Sequence, residues 1–148
     1  MKALVIFDSN FGNTKLITDA ITSELGPDAK LVSVTECTTA ELEGIDLLVV
    51  GSPIVGWRPS EKMGKFLTGL SKGQFQELKA AAFDTRMKTR LSGDAARKIA
   101  GALEKAGAKI IVPPQAFYVK GKEGPLVEGE IERATAFAKS IIESAKVR

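Results

Sequence analysis

Histidine is absent from the 148 residues, and cysteine, tryptophan and tyrosine occur once each. Without histidine there is no Ser-His or Cys-His pair and no imidazole metal ligand. The carboxylates are scattered, with none of the paired spacing of a hydrolase or metal site. Cys37 cannot form an internal disulfide, and its thiol reads as a small side chain near a connecting segment. No apolar run approaches membrane-spanning length, and residues 1–7 lack the h-region and cleavage site of a signal peptide. The expectation is a cytoplasmic protein in which any reaction chemistry comes from a bound cofactor.

Short apolar runs alternate with segments of helical periodicity along the whole chain. Strands are expected at Ala3–Phe7, 31–34, 47–50, 80–83 and a broken pair, 110–112 with 116–119. Pro113-Pro114 interrupts that pair because proline cannot donate to a ladder. Leu16, Ile17, Ala20 and Ile21 form one helical stripe, and Ala96, Ile99, Leu103 and Ala106 another. Ile131, Ala134, Ala138, Ile141 and Ala145 form a third. Thr39, Ser60 and Ser92 stand where helices should be capped, and the last helix runs from acidic (Glu128, Glu130, Glu132) to basic (Lys146, Arg148). Near-continuous apolar strands alternating with helices imply one α/β domain, a parallel sheet with helices on both faces.

Ligands of such sheets bind beyond the carboxyl ends of the strands, which here open into loops at 8–14, 51–59 and 84–93. The first contains Ser9-Asn10-Phe11-Gly12-Asn13-Thr14, leading from a strand into a helix. Unpaired N–H groups and the dipole at a helix start favour an anion, and the hydroxyls add donors. The loop lacks the G-x-x-x-x-G-K-[ST] of a nucleoside-triphosphate site and the G-x-G-x-x-G of a dinucleotide site. A monophosphate remains.

Ser9-Asn10-Phe11-Gly12-Asn13-Thr14 resembles the FMN-phosphate loop of the flavodoxin family, and all its fixed positions match. Gly51-Ser52-Pro53-Ile54-Val55-Gly56-Trp57 resembles the loop that lies along the flavin ring. The resemblance covers essentially the whole chain. It implies a three-layer fold, a five-stranded parallel sheet of order 2-1-3-4-5 with helices on both faces, and FMN as cofactor. By position, Ser9, Asn10, Phe11, Gly12, Asn13 and Thr14 would form the phosphate loop. Ser52, Pro53, Ile54, Val55, Gly56 and Trp57 would line one ring face. Gly56 matches the glycine whose peptide turns its carbonyl toward flavin N5 on one-electron reduction. Asp84, Thr85 and Arg86 would meet the pyrimidine edge with backbone amides. Val55 stands where many flavodoxins place their inner stacking residue, with Trp57 as the alternative.

Two features depart from the family. The loop after the fourth strand, Asp84-Thr85-Arg86-Met87-Lys88-Thr89-Arg90-Leu91, has no tyrosine or tryptophan to stack on the outer ring face. The chain is also basic: residues 84–98 carry Arg86, Lys88, Arg90, Arg97 and Lys98 against Asp84 and Asp94, an excess equal to the whole-chain net charge of +3. A cation about 8 Å from a reduced, anionic flavin contributes roughly 0.5–2 kcal/mol, so a less negative potential for the second electron is expected. The same charge should attract redox partner proteins with acidic surfaces or a small anionic substrate. Nucleic acid is not expected, because a stacking platform is missing. The leading reading is an electron-transfer protein. The alternatives are an FMN-dependent reductase or oxidase, of quinone or protoporphyrinogen type, and an anion-binding module without flavin.

Overall fold

The computed structural model describes residues 1–89 and 93–147. Ser92, expected to cap a helix, lies outside them, as do Arg90, Leu91 and Arg148. Strands β1 (Ala3–Phe7), β2 (Ala29–Ser33), β3 (Leu47–Val55) and β5 (Lys79–Met87) pair in parallel with β6 (Lys109–Ile110) in the order β2-β1-β3-β5-β6. β7 (Gln115–Val119) resumes parallel pairing with β5 above β6, while β4 (Arg58–Pro59) folds back antiparallel on β3. β6 and β7 are two halves of one edge strand split at Pro113-Pro114, so the expected 2-1-3-4-5 order holds.

Side chains alternate across the sheet, and each face has its own core. Leu4, Ile6, Leu48, Val50, Ala80 and Ala82 pack with Met63 of α2 (Glu61–Thr68) and Ile99 and Leu103 of α3 (Ala95–Lys105). Val5, Leu47, Val49, Ala81 and Phe83 pack with Ile17 and Ile21 of α1 (Asn13–Leu25) and Ala138 and Ile141 of α4 (Glu130–Ala145). Full burial of each Leu, Ile or Phe contributes about 1.5–3 kcal/mol. Phe83, Phe117 and Phe137 meet edge to face with centroids 5.7–6.3 Å apart, the arrangement aromatic quadrupoles favour. No helix among the described residues is long and apolar enough to cross a membrane.

The helix starts differ in detail from the sequence expectation. Ser60 caps α2 by accepting the Met63 N–H, but α3 is capped by Asp94, which accepts the Arg97 N–H at 3.0 Å. The short 3₁₀ turn Thr39–Leu42 is entered from Thr38, whose N–H donates to the Glu41 carboxylate. α4 starts acidic as expected, with Glu130 and Glu132 in its first turn.

Gly51 and Phe83 are register partners on β3 and β5, and a Cβ on Gly51 would fall 2.0 Å from the Phe83 ring. Both residues are walled in by the sheet, so Gly51→Ala should cost about 3 kcal/mol, read as a lower urea midpoint at unchanged m-value. Wild-type stability in that variant would contradict this packing.

Candidate functional site

At the carboxyl end of β1, Asp8 is buried and ties three segments together. Its carboxylate accepts the Ser9 N–H at 2.9 Å and the Ser60 hydroxyl, while its own N–H donates to the Gly51 carbonyl. The Ser60 N–H donates in turn to the Ser52 hydroxyl at 3.0 Å. Ser52 is fully buried and serves this network. Ser9 accepts the Gly12 N–H at 3.1 Å and so folds the loop onto α1. Gly12 enters the helix at φ +89, where a Cβ would be strained, and no side chain caps the helix start. The first-turn amides therefore remain donors for a guest. Thr14 is buried in the same turn, its hydroxyl 2.8 Å from that of Thr85 on β5.

β3 extends to Val55, five residues past its expected end. It then reverses through a two-residue turn, Gly56-Trp57, into β4. Both turn residues have positive φ (+58 and +65), the pattern of a type I′ hairpin that follows strand twist. The expected ring-side loop is thus mostly strand with a tight tip. The Lys98 ammonium donates to the Trp57 carbonyl at 3.1 Å, and Gly93 packs so close to Trp57 that a Cβ there would lie 2.8 Å from it.

β5 likewise runs on to Met87, because its ladder to β3 continues to Thr85 and its ladder to β7 to Met87. These three residues were expected in a loop offering backbone amides; they belong to the sheet. Asp84 is fully buried, takes both Nε and Nη2 of Arg86 (2.9 and 2.6 Å), and accepts the Ala96 N–H at the start of α3. Arg86 also reaches Asp94 at 3.0 Å. Burial pushes the Asp84 carboxyl above the usual range, and Arg86 and the Ala96 amide offset part of that penalty. The hydrogen-bonded Asp84 carboxylate raises the Arg86 pKa and keeps the guanidinium charged. Partial burial works against the Asp94 carboxylate, but the Arg97 amide and the Arg86 charge outweigh it, and its pKa lies below the ordinary value.

These elements enclose a cleft of about 620 Å³. Of the residues expected in the site, Asn10, Phe11, Asn13 and Thr14 line one part of it and Pro53, Ile54, Val55, Gly56 and Trp57 another. Thr85 and Arg86 also face it; Ser9, Gly12, Ser52 and Asp84 support it from behind. Met87 and Thr89, from the third expected site loop, also line it; Val119 and Lys122 lie outside every loop expected at the site. Lys122 belongs to the connection between β7 and α4, which docks on the first loop: the Asn13 side-chain amide donates to the Glu123 carbonyl at 3.1 Å, and a Cβ on Gly124 would strike the Asn13 side chain at 2.6 Å. No carboxylate lines the cleft among the described residues, and its charged lining residues are Arg86 and Lys122. Phe11, Val55, Trp57 and Met87 are large apolar side chains left 44–61% exposed around it. The cleft thus offers helix-start donors for an anionic group and apolar walls for a flat ring. No cluster able to hold a metal ion occurs among the described residues. Burial raises the Cys37 pKa, which disfavours the thiolate.

A three-layer parallel fold with this cleft at its carboxyl edge is the flavodoxin-like architecture. The family description "Flavodoxin domain" matches residues 4–122, and the chain belongs to the flavodoxin family. Among solved structures it is similar to a flavodoxin from the domain Archaea (22% identity, 99% of each chain covered, TM-score 0.80). Flavodoxin 2 from Bacillus cereus is similar at 22% identity, with 97% of this chain and 99% of that one covered and a TM-score of 0.84. Rubredoxin oxygen:oxidoreductase from Desulfovibrio gigas is similar at 21% identity and a TM-score of 0.78, over 99% of this chain and 36% of that one. No curated protein sequence matches the chain.

Asp94 gives a pH dependence of known sign. Its pKa is lower folded than unfolded, so its stabilising share is complete above the unfolded pKa and is lost as pH falls through the folded one. Asp94→Asn keeps an oxygen for the Arg97 cap and removes the charge. The variant should lose less stability than the parent between about pH 5 and 3 in urea unfolding. An identical slope would rule this out. Asp84→Ala, which strands Arg86 beside a buried strand end, should cost about 3–5 kcal/mol in the same assay.

Proposed function

We propose that the chain binds FMN and works in the cytoplasm as an electron-transfer protein between redox partners. One observation carries the reading: four exposed large apolar side chains, Phe11, Val55, Trp57 and Met87, surround a cleft that ends at the uncapped start of α1. A well-packed fold that leaves such side chains in water around one concavity has a ligand for it. The first-turn amides of α1, with Asn13 and Thr14, would hold the phosphate. The hairpin from Ile54 to Trp57 and the end of β5 at Met87 would hold the ring. Bound FMN supplies the electron chemistry; the chain's residues bind and orient it and keep carboxylates away. The side chains of Asp84 and Arg86 fix the end of β5 and the start of α3, which leaves the backbone of 84–86 as the part that would meet the ring edge. Arg86 and Arg97 are paired with carboxylates, so they add less to the field at the ring than their number suggests.

A second reading is favoured by Met87, which stands 44% exposed where the family often has an aromatic. A ring open on that side could pass electrons directly to a small acceptor, as a reductase does. Reoxidation of the reduced protein by a soluble quinone without a protein partner, at a rate that saturates with quinone, would select it.

The binding step has a direct test. Titrating the chain into FMN and, separately, riboflavin should quench both fluorescences, with FMN bound more tightly. Thr14→Val should weaken FMN at least about tenfold and riboflavin much less, since about 1.4 kcal/mol of phosphate contact is removed. Circular dichroism would establish that the variant is folded. Unquenched FMN at micromolar protein would leave only the flavin-free anion module.

A further inference from the structure

We propose that the groove between α2 and α3 is the docking site for an acidic segment of a protein partner; its role in electron transfer rests on the reading above, but its chemistry does not. The groove holds about 890 Å³, and Leu67, Leu70, Gly101 and Ala102 give it a half-buried floor of apolar and small residues. Lys72, Lys98 and Lys105 supply its charge, and no carboxylate lines it among the described residues. The acids nearest in sequence are turned elsewhere. Glu104 faces a different cleft with Arg97, Pro113 and Pro114, and Asp94 is engaged by Arg86 and Arg97.

What marks the groove is three lysines around one apolar floor, since Lys62, Lys109, Lys122 and Lys139 also lack an ion pair among the described residues. Lys15, Lys30, Lys65, Lys120 and Lys146 each sit within ion-pair distance of a carboxylate. Lys72 and Lys105 have no ion pair and no side-chain hydrogen bond among the described residues, and both are exposed. Three like charges around an apolar floor repel one another, and a partner's carboxylates relieve that repulsion while its apolar side chains fill the floor. Gly101 and Ala102 leave room on α3 for such a side chain. No aromatic residue lines the groove among the described residues, so they offer a nucleic acid nothing to stack on. Lys98 also donates to the Trp57 carbonyl, so an occupant of the groove lies beside the mouth of the cleft.

The test uses the full ¹⁵N-labelled chain, with and without FMN, and a synthetic amphipathic peptide carrying Leu and Glu at helical spacing. At low salt the peptide should shift the amide signals of Leu67, Leu70, Gly101 and Ala102. The double variant Lys72→Glu/Lys105→Glu should bind at least about tenfold more weakly, and Lys72→Arg/Lys105→Arg should bind as the parent does. In about 0.5 M NaCl the gap between parent and Glu variant should shrink to under about twofold, as screening removes the charge term. FMN affinity should be equal in all three proteins, because neither lysine lines the cleft. Absence of peptide binding at low salt, shifts on another face, or equal binding by the Glu variant would overturn the proposal. So would binding to phosphatidylserine vesicles in place of the peptide. A chain that binds peptide at the groove but never FMN would keep the docking site and remove the flavin reading.

Discussion

Burial of the central strands on both faces is the constraint on which the rest depends. Leu47 to Val50 and Ala80 to Phe83 have no exposed surface. No water reaches their backbone, so every peptide group there must be bonded within the sheet. Parallel pairing does this only if each return passes over a face, and the returning helices then supply the two cores. The polar and glycine residues are thereby driven to the strand ends. The cleft is what remains where β1, β3 and β5 stop beside the uncapped start of α1.

The architecture was legible in the sequence because it rests on local signals. Apolar runs such as Leu47 to Val50, the stripes of α1, α3 and α4, and the proline pair at 113–114 each carry their meaning within a few residues. The strand ends were less legible. Gly51 and Pro53 look like breakers, yet β3 runs through both because β5 offers a partner at Phe83 and Thr85. Asp84, Thr85 and Arg86 look like a polar loop, yet their ladder to β7 keeps them in the sheet. In both places a long-range partner overrode local propensity. The same holds for the fourth wall of the site. Nothing near residue 13 announces that the chain around Glu123 and Gly124 will close over it.

Charge shows the limit of composition most clearly. Residues 84–98 carry the whole-chain excess of +3, which on paper is a field beside the ring. In space, Arg86 is bound to Asp84 and Asp94, and Arg97 to Asp94, while Lys88 lies 5.6 Å from the centre of the Tyr118 ring. Ion pairs like these cancel most of their own field, and the buried Asp84–Arg86 pair also fixes geometry. What remains of that excess includes Lys98 on α3, which shares one groove with Lys72 and Lys105.

The tip of the β3–β4 hairpin joins these threads. A type I′ turn needs positive φ at both central residues, whereas type II′ needs it only at the first. The two differ by rotation of the single peptide between Gly56 and Trp57. Glycine is at home in either form; tryptophan at φ +65 carries left-handed strain of about 1–2 kcal/mol. Something must hold the strained form, and two contacts are available: the Lys98 ammonium on the Trp57 carbonyl and the close packing of Gly93 on Trp57. The glycine would tolerate either form, and the observed one is held from outside the turn, by residues at and just before the start of α3. Those residues are positioned by Asp94 and by the buried Asp84, which holds the Ala96 amide. The Asp84 carboxylate thus acts on the turn at one remove, by fixing the helix whose lysine bonds the Trp57 carbonyl.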